Sequence, residues 1–338
     1  MRLAANPTPS QKSAPARVVT LIAGGDVLLD RGVARQIDKY HSVDWPFFGV
    51  RSLLQRADIA FANLECPLSS RGTQILKRVS FRADAKTVWG LRRAGFDRFN
   101  LANNHSFDCG SIGLLDTMRF LREAGLDWCG AGLDATQAHA ARFQTVGGIR
   151  FAWLGFCEWA PQQTADNKSA AIAVIEGQTM RAAIADARAR ADIVIVAFHW
   201  GIEYSSRPTQ RQIAWAREVA SCGADLVLGA HPHVVQGFEI VPLAPHHRRT
   251  LIAYSLGNLV FDAPRAFDRR GRETVLLRCA FTRAGIQSAQ LIPLVMQNAR
   301  PLPGPRSDGA RILADVARLS KERGTIVSDG RIEIGAPR

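Results

Sequence analysis

Short apolar runs and amphipathic segments alternate along most of the chain. Short runs rich in apolar and β-branched residues occur at 17–25 (RVVTLIAGG), 57–62 (ADIAFA) and 191–198 (ADIVIVAF), and such runs are typical of buried strands. Between the runs lie segments in which apolar residues recur at helical spacing. This alternation predicts an α/β protein in which helices cover the faces of a sheet.

The same pattern places the other elements. Two adjacent glycines, Gly147 and Gly148, interrupt a β-type segment and predict a hairpin over 145–156, because glycine suits the tight turns of hairpins. Further strands are predicted at 96–102, 224–230, 250–256, 274–281 and 286–293. Helices are predicted at 85–94, 113–124, 179–190, 209–221 and 310–323, some of them followed by a glycine that can end a helix.

One main domain is predicted over 17–299. Residues 1–16 are rich in Pro, Ser and Ala and contain no apolar stretch, so we expect a flexible tail without a signal peptide. Residues 300–308 contain three prolines and predict a linker to a C-terminal helix packed on the domain. No apolar run reaches the roughly 18 residues of a membrane span, and we therefore expect a cytoplasmic protein.

The polar segment 161–170 is expected to be a mobile loop. Glu158 and Trp159 stand at its beginning, and two interpretations of the stretch 157–170 remain open. It either shapes a binding pocket or simply connects two elements.

Basic residues outnumber acidic ones by 43 to 30, which gives a formal net charge of +13. This charge favours an anionic small-molecule or polymer partner. The basic residues form no block or aromatic stripe, so we expect no specific nucleic-acid binding. The charge is equally well explained by arginine on a solvated surface.

The six cysteines include no CxxC pair and are expected to be reduced packing residues, Cys66 and Cys109 among them. The oligomeric state stays open.

Metal-ligand side chains follow five of the predicted strands. In open α/β sheets ligands bind beyond the carboxyl ends of the strands, so these side chains are expected to meet at one rim. A single histidine at a strand end is more often a satisfied polar residue than a ligand, and the prediction depends on the combination. The residues, in chain order, are Asp26, Glu65, Asn104 with its neighbour His105, His199, and His231 with His233.

Two carboxylates, three histidines and an asparagine form a mixed nitrogen and oxygen ligand set, which suits Mn, Fe or Zn better than Ca. A carboxylate can bridge two ions, and the spacing of His231 and His233 lets two imidazoles of one turn reach different ions. Such a pair of ions, roughly 3.5–4 Å apart, can activate water and clamp the oxygens of an in-line displacement. The alternative is a polar crevice without metal. The histidines without such placement are expected at the surface: His41, His139, His246 and His247.

In their order, these motifs resemble the CapA-type family of bacterial capsule, or poly-γ-glutamate, synthesis proteins. The resemblance covers about residues 17–261 and implies a fold similar to calcineurin-like metallophosphoesterases, a four-layer α/β/β/α sandwich that binds two divalent metal ions. The motifs are GD ending at Asp26, NLECP at 63–67, NNHSFDCG at 103–110, HWGIE at 199–203, HPH at 231–233 and SLGN at 255–258.

The resemblance also implies a role for each residue. Glu65 would bridge the two ions, and His105 would act as general acid or anion-binding cation with Asp108 orienting it. One ion would be bound by Asp26 and His233. The other would be bound by Asn104, His199 and His231. Contacts to the ligands or to the substrate would come from Asn63, Glu203 and Asn258. The superfamily pattern has Asp-x-His where this chain has Asp26-Val27-Leu28, and an aspartate in place of Glu65. These two departures leave open whether one or two ions bind.

Three functions are compatible with the sequence. The first is a metal-dependent hydrolase that cleaves a phosphoester or related anionic substrate, with His105 protonating the leaving group. The second is an accessory role in capsule or poly-γ-glutamate synthesis or export, with little phosphatase activity. The third is a non-enzymatic module that binds anionic polymers through its net charge. We favour the first, because charge alone would not place ligand-type residues at five strand ends.

Overall fold

Two β-sheets with helices on their outer faces form the described part of the chain. The computed structural model describes residues 17–160, 170–243, 248–262 and 269–335. The expected tail, most of the expected loop at 161–170, and His246 and His247 lie outside the described residues.

The strands of the described residues fall into a large sheet, a smaller sheet and a short two-stranded pair. They are β1 (Val19–Val27), β2 (Ile59–Leu64), β3 (Arg98–Asn100), β4 (Asp127–Cys129), β5 (Ala131–Gly132), β6 (Arg142–Val146), β7 (Ile149–Cys157), β8 (Ala171–Ile172), β9 (Ile193–His199), β10 (Leu226–Ala230), β11 (Phe238–Leu243), β12 (Arg248–Ala253), β13 (Asn258–Val260), β14 (Glu273–Thr282), β15 (Gly285–Gln297), β16 (Arg300–Leu302), β17 (Val327–Ser328) and β18 (Arg331–Ile332).

The α-helices of the described residues are α1 (Arg31–Lys39), α2 (Arg51–Leu54), α3 (Val88–Ala94), α4 (Gly110–Glu123), α5 (Ala135–His139), α6 (Gly177–Arg190), α7 (Gln210–Ser221) and α8 (Arg306–Lys321). Three short 3-10 turns accompany them, at Trp45–Phe47, Ala85–Thr87 and Arg269–Arg272.

Both large sheets have parallel strands at their centres. The first has the order β17-β18-β15-β14-β1-β2-β3-β4, with β13 parallel to β1 and β16 beside β15. The second has the order β11-β12-β10-β9-β7-β6. Strands β1 to β4 run parallel in the first sheet, and β7, β9, β10 and β12 run parallel in the second. The carboxyl ends of the parallel strands therefore lie together at one edge of each sheet.

Three hydrophobic cores separate four layers. Because side chains alternate across a strand, Ile22 of β1 packs towards the helices α1 to α4, whereas Leu21 packs against the second sheet. On the far face of the second sheet, Val194 of β9 packs with residues of α6 and α7. The layers are thus helix, sheet, sheet and helix, and the predicted α/β/β/α sandwich is confirmed.

Most predicted elements are present with shifted ends. The hairpin is confirmed, with β6 and β7 joined at Gly147 and Gly148. The helix predicted at 85–94 begins as a 3-10 turn, and the terminal helix starts earlier, at Arg306. Helix α7 begins after Thr209, whose side chain forms a capping box with Gln212, a common helix-start signal.

The linker predicted at 300–308 is wrong in its first part. Residues Arg300–Leu302 form strand β16, which pairs only with β15 in the described residues. A proline can occupy such a strand because an edge strand leaves one side unpaired. Helix α8 follows directly, and its Ile312 and Val316 pack into the core between the sheets.

Gly25 lets two chain segments meet at the carboxyl end of β1. The amide of Asp26 donates a hydrogen bond of 3.0 Å to the carbonyl of Gly257. A Cβ atom on Gly25 would stand 1.8 Å from that same carbonyl oxygen. The close approach holds β1 against the loop that leads into β13, and it leaves no room for a side chain.

We therefore predict that Gly25→Ala destabilises the protein by about 2 kcal/mol or more, since overpacking against backbone forces the chain to shift. Chemical denaturation measures this change. Gly177→Ala is the matched control, because a Cβ there meets only the Arg181 side chain at 3.4 Å and helix propensity favours alanine by up to about 1 kcal/mol. Equal stability of the two variants would contradict the close approach.

Candidate metal centre

The candidate ligands lie at the rim where the two sheets meet. Asp26 lies near the end of β1, and Glu65 follows β2 in the first sheet. His199 ends β9, and His231 follows β10 in the second sheet. The rim predicted from the sequence therefore exists, and it is formed by two facing sheets.

Glu65 stands at the centre of this cluster as a buried carboxylate. Neither of its oxygens accepts a hydrogen bond from the described residues. Its Oε1 lies 3.7 Å from His199 Nε2, 3.8 Å from His233 Nε2 and 3.9 Å from His105 Nε2. A buried carboxylate without hydrogen bonds is costly unless a cation compensates it. The ring of nitrogen atoms around this oxygen leaves a place for such a cation.

Two groups of possible ligands share Glu65. One contains Glu65, His199 and His231, and the other contains Asp26, Glu65 and His233. Within each group, one ligand atom per residue lies within 4.8 Å of the others. This division matches the one that the resemblance implies. The individual ligand roles stay predictions, and the donor chemistry fits Mn, Fe or Zn.

Asn104 joins the first of these groups. Its Oδ1 lies 2.8 Å from His199 Nε2, and His231 Nδ1 lies 3.1 Å from the same nitrogen. A neutral amide oxygen and two imidazole nitrogens thus converge next to the Glu65 carboxylate. This arrangement supplies ligand atoms without adding further negative charge.

The His231-Pro232-His233 turn has an unusual backbone. His231 has φ of 96° and His233 has φ of 59°, a region that costs a non-glycine residue roughly 1–3 kcal/mol. The His231 amide donates to Asp26 Oδ2 at 3.1 Å, and the Tyr204 amide donates to the Pro232 carbonyl at 2.7 Å. These contacts hold the strained turn so that its two imidazoles serve different ligand groups.

Two asparagines orient the predicted ligands. Asn63 Nδ2 donates to Asp26 Oδ1 at 2.8 Å and lies 3.2 Å from His199 Nδ1. Asn258 Oδ1 lies 2.9 Å from His233 Nδ1. A hydrogen bond on the second ring nitrogen fixes the orientation of a ligating imidazole. Asn63 and Asn258 thus contact predicted ligands, whereas Glu203 is exposed on a cavity wall.

His105 and Asp108 form a buried pair beside the ligands. His105 Nδ1 lies 2.7 Å from Asp108 Oδ2, and His105 Nε2 is the atom that faces Glu65. The ring of Phe81 lies 4.1 Å from the His105 ring, centroid to centroid. The carboxylate and the aromatic ring hold the imidazole with one nitrogen directed at the centre, as a general acid requires.

Burial and neighbouring charges shift the protonation of the cluster. Burial, and then the Asp26 carboxylate, raise the pKa of Glu65 well above its usual range. Burial and the neighbouring imidazoles lower the pKa of His199, and burial and His233 lower the pKa of His231 to about 3, which leaves both rings in the neutral form that can ligate a metal. Burial opposes charge on His233 as well, but Glu65 and Asp26 raise its pKa to about 9. A metal ion bound beside Glu65 and His233 would therefore displace protons from them.

A cavity of about 650 Å³ opens beside the centre. His105 and His233 form part of its floor, and aromatic and charged side chains form its walls. The cationic residues of these walls are Arg31, Lys77 and Arg78, and the acidic ones are Glu203 and Asp262.

Trp159 covers the histidines from the other side. Its ring lies 4.5 Å from the His231 ring and 6.4 Å from the His199 ring, centroid to centroid. Trp159 is not among the residues that line the cavity, so both interpretations of the stretch 157–170 stay open.

Lys77 and Phe81 are two residues of the site that the sequence pattern did not predict. Both lie in an irregular stretch between β2 and α3, where no periodicity marks a side chain as buried or functional. Their significance comes from contacts to His105 and Asp108, which are distant in sequence. The phenylalanine could have been suspected as an apolar residue in a polar stretch, but the lysine has no local signal.

His41, His139 and the six cysteines belong to neither group of possible ligands. His41 is exposed as predicted, whereas His139 is half-buried and hydrogen-bonds to the Ala135 and Val174 carbonyls. All six cysteines are free thiols, and Cys66 and Cys109 are buried packing residues. Burial raises the pKa of the Cys66 thiol beyond its usual range, so this cysteine is a poor nucleophile.

Among the helices of the described residues, none has both the length and the apolar character that crossing a bilayer requires.

Comparison with known proteins identifies relatives along most of the chain. Residues 20–263 match the family model described as bacterial capsule synthesis protein PGA_cap. The chain is 31% identical over 294 residues to the capsule biosynthesis protein CapA of Bacillus anthracis, an alignment that covers 84% of this chain and 69% of the relative. It is 29% identical over 331 residues to the PGA biosynthesis protein CapA of Bacillus subtilis (strain 168), covering 96% and 84% of the two chains.

Among solved structures, a hypothetical protein from Thermus thermophilus superposes with a TM-score of 0.52 at 16% identity, covering 82% of this chain and all of the other. This similarity supports the fold.

We predict that Glu65→Gln abolishes the stabilisation of the protein by Mn²⁺. The substitution removes the residue shared by both ligand groups. Mn²⁺ at a hundredfold excess over its dissociation constant should stabilise the wild type by about 2.7 kcal/mol. Thermal unfolding with and without Mn²⁺ measures this difference for each variant.

Glu123→Gln is the matched control, because Glu123 is exposed on α4. Equal stabilisation of the Glu65 variant and the wild type by Mn²⁺ would exclude a metal site at Glu65.

Proposed function

The chain belongs to the PGA_cap family of bacterial capsule synthesis proteins, and we propose that within this family it is a metal-dependent hydrolase. Its substrate would be a phosphoester or a related anionic compound. The observation that carries the proposal is the buried Glu65 carboxylate, which two ligand groups share at the rim of two sheets. A bound cation would explain why this buried carboxylate has no hydrogen-bond donor among the described residues.

Each of the two groups of ligand atoms would bind one ion. Asp26 and His233 would hold one ion, and the pair His199 and His231 with Asn104 would hold the other, with Glu65 between them. Divalent ions bound there would lower the pKa of a water nucleophile and neutralise charge that develops on the oxygens of the attacked group. Mn, Fe and Zn all suit the mixed ligand set.

His105 would deliver the proton to the leaving group. Its Nδ1 is engaged by Asp108, so the opposite nitrogen, Nε2, is free to face the substrate side of the centre. Burial lowers the pKa of His105, and Asp108 opposes this effect. The carboxylate stabilises the protonated imidazole and so offsets part of the effect of burial.

The walls of the cavity would hold the substrate. Arg78 lines the cavity that adjoins His105 and His233. Arg31 and Lys77 line it too, and they form ion pairs with Asp262 and Asp108. Positive side chains there attract an anionic substrate and align its reacting group with the centre. The acidic Glu203 on the same cavity would limit which anions fit.

We predict that His105→Ala lowers metal-dependent phosphoester hydrolysis roughly 10²- to 10⁴-fold, the usual contribution of a general acid. Turnover of a phosphomonoester panel in the presence of Mn²⁺ measures this loss, and chelation with EDTA should abolish the wild-type rate. His41→Ala is the matched control, since His41 is exposed and remote from the ligands. Full activity in EDTA-treated wild type would refute a metal-dependent hydrolase.

An accessory role in polymer synthesis is the second candidate function. The names of the relatives favour it, because they describe proteins of capsule and PGA biosynthesis. In this role the cationic cavity would bind poly-γ-glutamate without cleaving it.

For the accessory role, we expect the wild type to bind poly-γ-glutamate and to leave its length unchanged in the presence of Mn²⁺. Size-exclusion chromatography of the polymer after incubation measures its length, and fluorescence anisotropy measures binding. Shortening of the polymer by the wild type, but not by Glu65→Gln, would instead support hydrolysis of the γ-glutamyl chain.

A further inference from the structure

Lys77 contacts the segment that carries His105 at two points. Its Nζ lies 2.5 Å from Asp108 Oδ1 and donates a hydrogen bond of 2.9 Å to the carbonyl of Asn104. These two partners lie on either side of His105 in the turn 104–108. One ammonium group therefore ties together both sides of the turn from which the His105 imidazole projects.

The two oxygens of Asp108 have separate partners. Oδ2 lies 2.7 Å from His105 Nδ1 and accepts a hydrogen bond of 2.6 Å from the Phe81 amide. Oδ1 faces the Lys77 ammonium. Asp108 is fully buried, so removing the ammonium would leave half of a buried carboxylate without a countercharge. The carboxylate would then be free to turn away from His105.

The backbone next to Lys77 is also fixed to this turn. The Ile75 amide donates a hydrogen bond of 2.9 Å to the Asp108 carbonyl. The lysine side chain is 22% exposed and lines the cavity beside His105. The stretch that carries Lys77 thus forms both a wall of the cavity and a support of the His105–Asp108 pair.

We propose that Lys77 is a positioning residue for protonation of the leaving group, an inference that rests on the proposed hydrolase function. In the reaction, the oxygen of water forms a new bond to phosphorus while the bond from phosphorus to the leaving oxygen breaks. The leaving oxygen takes the proton from His105 Nε2, and solvent accepts the proton of the water and later restores that of the histidine. Lys77 acts by holding Asp108 and the turn 104–108, and through them the imidazole.

This role makes the effect of Lys77 depend on the leaving group. An alkoxide is a poor leaving group and requires the proton, whereas dinitrophenolate leaves as an anion without it. A lysine that merely stabilised the fold would affect both substrates equally.

The experiment compares Lys77→Met with the wild type on an alkyl phosphate, glycerol phosphate, and on 2,4-dinitrophenyl phosphate, both with Mn²⁺. We expect kcat for glycerol phosphate to fall about 10²-fold, within the range of general-acid effects, and kcat for the dinitrophenyl ester to fall less than about fivefold. Lys77→Arg should recover part of the loss, because it restores the charge next to Asp108. Lys86→Met is the matched control, since Lys86 is exposed and pairs with Asp84 at the surface.

A double variant tests the route of the effect. If Lys77 acts through His105, then Lys77→Met added to His105→Ala should lower the rate no further. Equal losses on the two substrates, or additive losses in the double variant, would overturn the proposal. Metal content per chain should be unchanged in each variant, and a loss of bound Mn²⁺ in Lys77→Met would also overturn it. If the methionine variant does not fold, Lys77→Gln takes its place under the same criteria.

The wild type separates this inference from the proposed function. If wild-type protein hydrolyses neither ester with Mn²⁺, the proposed function fails and the role of Lys77 fails with it. If the wild type hydrolyses both esters and the Lys77 variant loses the same fraction of kcat on each, only the role of Lys77 fails.

Discussion

A buried carboxylate that lacks hydrogen bonds is the constraint on which the rest of this site depends. Glu65 is fully buried beside a second carboxylate, Asp26, and its oxygens have no donor among the described residues. Such a group is tolerated only where a positive charge compensates it. In the protein alone, His233 provides that charge, and two clusters of ligand atoms offer a place for divalent ions. The same carboxylate belongs to both groups of possible ligands.

The architecture explains how so many polar groups can be gathered without exposing them. Each sheet contributes the carboxyl ends of its parallel strands, and the core between the sheets closes the site from below. Loops beyond the strands then supply the features that strands cannot, such as the strained turn at His231 and His233. Strands hold Asp26 and His199, and the residues that directly follow strands supply Glu65 and His231.

The candidate site was largely predictable, because its residues belong to short motifs that directly follow apolar runs. Asp26, Glu65 and His199 could each be placed at a strand end from the local pattern, and the family resemblance implied the contact between His105 and Asp108. Edge elements were harder to predict. Strand β16 contains Pro301 and consists of only three residues, so neither propensity nor periodicity distinguishes it from a linker.

The sequence by itself determined which residues end the strands, since hydrophobic period and turn residues are local properties. It also identified the family to which the motifs belong. Only the tertiary structure decided that the strand ends come from two facing sheets, that Trp159 lies on His231, and that Lys77 neutralises Asp108. These contacts join residues far apart along the chain, and their formation depends on how the layers pack. A lysine in an irregular stretch becomes significant only when a buried carboxylate folds against it.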